Sequence, residues 1–276
     1  MKVIISRKGF DSQYGKVPSP MIDGCPYSLP IPAIKMPSVT RYGDVLSPGC
    51  KIIEDLTDTK ISLSSFCHLD PDLDRDLLPR KANWRGVFGQ TSSASTHLKN
   101  MGISVGDIFL FFGLFRNVSL VHGRWRYHGK KHHRVFGWLQ IGEIIELSNE
   151  FNSVLARYPW LNTHPHVQVG WEAQKNNRLY LAATATTIGN TKIASVGSGH
   201  FSRGFELTAE GQSPSVWKMP SWINPLRNGP GISYHPISRW SDDDTLKSAA
   251  KGQEFVVHDA TSFESECWLR NLFEIA

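Results

Sequence analysis

Apolar residues along this chain gather in short runs bounded by glycine or charge. The runs are rich in β-branched and aromatic side chains, which predicts buried strands in preference to helices. Two of them set the centre of the pattern, Gly106–Arg116 and Val135–Ile145. Gly106-Asp107 predicts a turn feeding the first, with the Asp carboxylate bonding nearby backbone N–H groups. Gly113 and Gly137 stand inside the runs, where glycine marks a bulge or a close backbone approach. Lys2–Ser6 predicts a first strand, central because it is continuously apolar. Further strands are predicted at Leu179–Ala183 and Lys251–Val257. The helical signals are fewer: Ile52–Leu56, Thr91–Asn100 stopped by Gly102, and a final helix. That last one is opened by a Thr261/Glu264 capping box and carries Trp268, Leu269, Leu272 and Phe273 on one side. Residues 17–49 are proline-rich and too apolar for a linker, so they predict an ordered excursion. Residues 184–199 are small and polar and predict a mobile loop. There is no internal repeat and no clear linker. The expectation is one α+β domain over residues 1–276, with a mixed or antiparallel barrel-like sheet, flanking helices and long irregular loops.

Composition narrows the function classes. The 276 residues carry 40% hydrophobic and 20% charged positions, an ordinary globular balance, and a formal net charge of +5. That mild basicity is compatible with a polyanionic partner. No run is long enough to span a bilayer. Arg7 and Lys8 break the apolar Val3-Ile4-Ile5 before a secretory segment can form. Cys25, Cys50, Cys67 and Cys267 form no C-x-x-C pair, which argues against a zinc ribbon. A cytoplasmic protein with reduced thiols and no membrane partner is expected.

Several polar stretches carry candidate chemistry. Ser6, Arg7 and Asp11 leave the end of the first strand, where reactive groups are commonly placed at a pocket rim; the alternative is a solvated turn. His68, Asp70, Asp72 and Asp74 alternate, so an extended chain would put all four on one face. Such a set binds a divalent cation, supplies an acid and a base, or caps a helix. Asp70 and Asp72 are the candidate cation ligands. His97 ends the Thr91–Asn100 helix as a candidate catalytic or capping residue. His164 and His166, two apart across a proline, can converge on one ligand. Gln90, Gln253 and Glu254 are candidate substrate contacts, an amide presenting donor and acceptor together. Between the two central runs, residues 116–134 place Arg124, Arg126, Lys130, Lys131 and Arg134 among Trp125, Tyr127 and four histidines. This is a solvated hairpin tip or a nucleic-acid contact surface.

The central strand pair resembles the PUA-like barrels, the EVE and ASCH types among them. A broader resemblance rests on Ser6–Ser12, Pro18-Ser19-Pro20, Ser28–Pro32, Cys67–Leu73, Phe88-Gly89-Gln90, His97-Leu98, Gly106–Gly113, Phe136–Gly142, His164–Val167 and Gly252–Val256. Taken in this order they resemble the third nucleotide-modification-associated domain family of bacteria and phages; Thr91–Thr96 departs from its Ala- and Gly-rich pattern. The resemblance implies DNA or nucleotides as partners, in a setting of phage conflict over modified DNA. The expected protein is an enzyme acting on a nucleotide or a hypermodified base, of a base-modifying, N-glycoside-hydrolase or phosphoester-hydrolase type. In that reading Arg7 holds a phosphate or an anionic intermediate, Asp11 or Asp70 acts as general base or offsets positive charge on a sugar ring, and His68 or His97 donates a proton; Arg7 is expected within salt-bridge reach of Asp11, Asp70 or Asp72. The alternatives are a non-enzymatic reader of modified or flipped bases and an assembly protein.

Overall fold

Val3–Arg7 is a strand bonded on both sides and buried on both faces. Glu254–Val257 pairs with it antiparallel and Ile108–Val121 parallel. From there the sheet continues through His132–Glu146 and Arg178–Ala182 to Val87–Gln90, each step antiparallel. The computed structural model describes residues 1–34, 37–46, 50–171 and 174–275; Met36, Ser47 and Pro48 of the proline-rich excursion lie outside them. The fold is a mixed α+β arrangement, mostly sheet with a few helices. Among the described residues no closed barrel is found: the sheet runs as an open path between two different edge strands.

The period-two alternation explains the two cores. Val3, Ile5, Leu110, Phe112 and Phe255 face one way, with Trp217 and the final helix packed over them. Ile4, Phe109, Phe111, Phe88 and Tyr180 face the other. Asp107 does what the Gly106-Asp107 turn requires: its carboxylate accepts from the N–H groups of Lys2 (2.7 Å) and Ser104 (2.9 Å), pinning the starts of two neighbouring strands. A Cβ at Gly113 would stand 2.9 Å from the Lys8 carbonyl, so this glycine answers to a close backbone approach.

Three expectations change. Residues 184–199 are no loop: Thr186–Ile188 and Thr191–Ala194 form a hairpin, and Thr186 accepts from Trp138 Nε1 in the core. Thr and Ile are good strand formers and fill five of the seven strand positions, around a Gly189-Asn190 turn; the small polar residues on either side conceal that local signal. The basic insert is largely strand as well. Ile108–Val121 runs on to a turn at His122-Gly123, and Arg124–Tyr127 pairs back onto it. The last helix, Phe263–Ile275, is capped one residue later than the Thr261/Glu264 spacing suggests, Ser262 Oγ accepting from Ser265 N–H at 3.2 Å. The helix Ser92–Asn100 and its stop at Gly102 (φ +62°) fall as expected. Among the described residues no helix is long and apolar enough to cross a membrane.

His133 offers a test of this packing. Its Nδ1 accepts from Trp217 Nε1 at 3.0 Å, and burial pushes its pKa down to about 3. A histidine held neutral contributes stability that is complete above the unfolded value near 6.5 and is lost as pH falls towards 3. The expected loss is about 2 kcal/mol by pH 5. In His133→Asn, whose side chain keeps an acceptor and does not titrate, urea unfolding at pH 7 and pH 5 should differ by that much less than in the wild type. An unchanged difference would mean that His133 is not the acid-sensitive group.

Candidate functional site

The acidic stretch and the His-Pro-His stretch, far apart in sequence, meet on one carboxylate. Cys67–His68 is a two-residue strand paired with Ile31–Pro32, and it delivers Asp70 against the edge strand Val87–Gln90. There Gly89 N–H donates to Asp70 Oδ1 at 2.8 Å. A tight turn over Pro165–Val167, entered through His164, brings both histidines to the same place. His164 Nε2 lies 3.4 Å from Asp70 Oδ1; His166 Nε2 and His68 Nε2 lie 3.6 and 3.9 Å from Oδ2. The three histidines are buried and the Asp70 side chain is 6% exposed, and Trp171 stacks on both His68 and His166. Burial pushes the pKa of His68 and of His164 down to about 3 and that of His166 to about 4, so all three rings are neutral at pH 7. His68, Asp70 and His166 are close enough to share one ion.

Gly89 is fixed by this crowding. A Cβ there would fall 2.4 Å from the His166 ring, whose Nδ1 is in turn tied to Asn177. On its other side Asp70 lines a cavity of about 250 Å³, together with Tyr27, Leu69, Leu73, Phe136 and His200. Phe136 and His200 stack there, ring centroids 6.0 Å apart and 21° from parallel. Leu73, Asp74 and His200 also border a larger cleft lined by Trp84, Arg85 and Trp160.

A second polar group surrounds Glu254, which is 1% exposed. Its Oε1 accepts from Lys8 Nζ (2.7 Å) and from Gln90 Nε2 (2.8 Å), and Gln90 also reaches Gln253 at 3.4 Å. Gln90, His97, Gln253 and Glu254 line one cleft of about 380 Å³ with Tyr234. His97 bonds Ser233 there, at 3.1 Å. Lys8 joins the two groups: it sits 4.5 Å from the Phe88 ring centre, and its charge bears on His68 and His166, favouring their neutral forms.

Other sequence-selected residues stand apart. Arg7 crosses to the opposite face of the sheet, lying over Phe112 and Phe255 and donating to the Ala249 and Ala250 carbonyls. Among the described residues it forms no ion pair with Asp11, Asp70 or Asp72. Asp11 closes its own turn, accepting from Gln13 and Tyr14 N–H, both at 2.7 Å. Asp72 is clamped by Arg80 through both carboxylate oxygens, and Arg80 lies over Trp84. Burial raises the Asp72 carboxyl to about 6 against the opposing pull of Arg80. Ser6 is buried beside Phe111 in the strand register. On the hairpin, Arg124, Arg126, Lys130 and Lys131 are exposed, whereas Arg134 pairs with Glu206. Lys8, Gly89, Trp171 and Asn177 were not singled out from sequence. Alternation alone pointed to Lys8, since Ile4, Ser6 and Lys8 share the face that Arg7 leaves.

A comparison with protein families matches residues 2–258 to the family described as nucleotide modification associated domain 3, and the chain belongs to that family. Neither a search of curated proteins nor one of solved structures finds a match.

The Asp72–Arg80 clamp predicts a structural role for Asp72. Asp72→Asn strands a buried guanidinium and should cost about 3 kcal/mol in urea unfolding; Asp72→Leu with Arg80→Met should recover most of it. Asp72→Asn at wild-type stability would free Asp72 for a chemical role.

Proposed function

From membership of this family we propose that the protein is an enzyme acting on a nucleotide or on a base in DNA, with Asp70 at the reacting centre. One observation carries the reading: the Asp70 carboxylate faces three neutral imidazoles on one side and walls a small, largely apolar cavity on the other. Flat aromatic walls such as Phe136 and His200 suit a planar heterocycle, which binds by stacking and is extruded from a helix to reach such a pocket. In this reading Asp70 acts as general base, or offsets positive charge developing on a sugar ring, as a buried carboxylate does well in a water-poor site. His164 offers a hydrogen bond to the centre: its Nδ1 accepts from His166 N–H, so the neutral ring carries its hydrogen on Nε2, facing Asp70. Lys8, Gln90 and Glu254 form the adjoining polar wall. The setting we attach to this chemistry is phage conflict over modified DNA.

The aromatic walls favour a second reading by themselves: a reader that holds a modified or flipped base without turning it over. Both readings use the exposed cations of the hairpin, Arg124, Arg126, Lys130 and Lys131, to hold phosphates, as guanidinium and ammonium groups do.

Three experiments test these readings. Calorimetric binding of nucleosides and nucleotides, canonical and hypermodified, should weaken about tenfold or more in Phe136→Leu. Turnover of the bound species, followed by mass spectrometry, should vanish in Asp70→Asn while binding stays within a few-fold. Binding without turnover in the wild type would favour the reader; no binding at all would remove both readings. Separately, changing Arg124, Arg126, Lys130 and Lys131 to Gln should flatten the salt dependence of DNA affinity by about 0.9 of slope per lost phosphate contact. A wild-type slope in that variant would make the tip a solvated hairpin.

A further inference from the structure

The hydrogen bonds around Asn177 fix where the proton of His166 sits. Asn177 Nδ2 donates to the carbonyls of His166 (3.1 Å) and Trp171 (3.2 Å), so Oδ1 is the acceptor end of the amide. His166 Nδ1, 2.9 Å from that oxygen, must therefore carry the hydrogen. In the neutral ring the lone pair is then on Nε2, and Nε2 faces Asp70 Oδ2 at 3.6 Å. Two acceptors oppose one another in a buried site, and the same oxygen faces His68 Nε2 at 3.9 Å. Such an arrangement needs a cation between its members.

A proton is a poor candidate. A charge-assisted bond from imidazolium to carboxylate closes to about 2.8 Å, and these atoms stand well outside that. Metal ligands at bond lengths of about 2.0 Å are held about 3.3 Å apart at the corners of a tetrahedron, far closer to what is seen. The surroundings are also those of a metal site. Each inward-facing ligand is held from behind: His166 by Asn177, Asp70 by the Gly89 N–H, and the rings of His68 and His166 by the indole of Trp171.

We propose that His68 Nε2, Asp70 Oδ2 and His166 Nε2 bind one divalent first-row transition metal, of the zinc or ferrous-iron kind. Two imidazoles with one carboxylate suit those ions over magnesium or calcium, which prefer oxygen throughout. Three protein ligands leave a coordination position for water or substrate, as catalytic sites do. His164 stays outside the ligand set, on the other oxygen of Asp70. The site stands on its own geometry and holds whether or not a nucleotide is the substrate.

The test uses the full chain, without nucleotide. Elemental analysis of protein produced with zinc and iron supplied should find close to one equivalent of one of them. His166→Ala and Asp70→Ala should lower it at least tenfold, and His133→Asn, altered in a half-buried histidine packed on Phe112 and Trp217, should keep it. Metal-stripped wild type titrated with Co²⁺ alone should develop visible d–d bands at one equivalent, absent in His166→Ala. A wild type that holds no metal and gives no cobalt bands overturns the proposal, as does His166→Ala retaining metal with the wild-type cobalt spectrum. Circular dichroism identifies a variant that has not folded, in which case the wild-type cobalt titration decides by itself. A protein that binds metal and no nucleotide would keep this inference and lose the functional reading; the reverse result would do the opposite.

Discussion

Everything in this molecule leans on a strand that is buried on both faces. Val3–Arg7 lies between two partners and feeds two cores, so its side chains have no solvent-facing option and alternate strictly between them. The consequence reaches past the strand's end. Arg7 follows Val3 and Ile5 into the core that carries Trp217, while Lys8 follows Ile4 and Ser6 to the side of Asp70 and Glu254. Adjacent cations thereby acquire unrelated work: one ties carbonyls of a distant loop, the other neutralises a buried carboxylate and bears on two histidines.

How far the sequence could be read follows from the range of the forces involved. Strands set by two-sided burial were legible, because continuous apolar runs such as Val3-Ile4-Ile5 and Phe109–Phe112 leave few alternatives. The Asp107 turn was legible because its bond from Ser104 N–H is local, although its bond from Lys2 N–H spans 105 residues and was not. The hairpin at Thr186–Ala194 was not, because its two strands are short and its β-branched residues stand among small polar ones, and the indole that Thr186 meets comes from another part of the chain. Charge was the least transparent. Arg7 and Asp11 looked complementary by proximity, but a carboxylate two residues from free N–H groups is satisfied more cheaply by its own turn than by a guanidinium.

The candidate site shows the same division. His68, Asp70, His164 and His166 were each visible as unusual residues in unusual spacings, and the structure brings them to one carboxylate. Their common partner set was not visible, since Asn177 and Trp171 are ordinary residues whose meaning comes from position. Asp72 was misleading in the other direction: alternation with Asp70 suggested one shared face, whereas Arg80 claims it through a bidentate clamp. A regular spacing identifies which side chains could act together; the nearest unspent donor decides which of them do.

Gly89 gives the site a further hold on the fold. An edge strand pairs with one neighbour, and such strands are prone to slip by a residue. Here Val87–Gln90 has Arg178–Ala182 on one side; on the other Val87 exchanges two backbone hydrogen bonds with Asp72, and Asp70 and the His166 ring lie beside Gly89. A shift of one position would bring Phe88 or Gln90 to the place of the glycine and drive a side chain into that ring. The polar cluster thus acts with the Asp72–Val87 bridge as a register lock: both favour one alignment of the sheet edge, the alignment that also completes the group around Asp70.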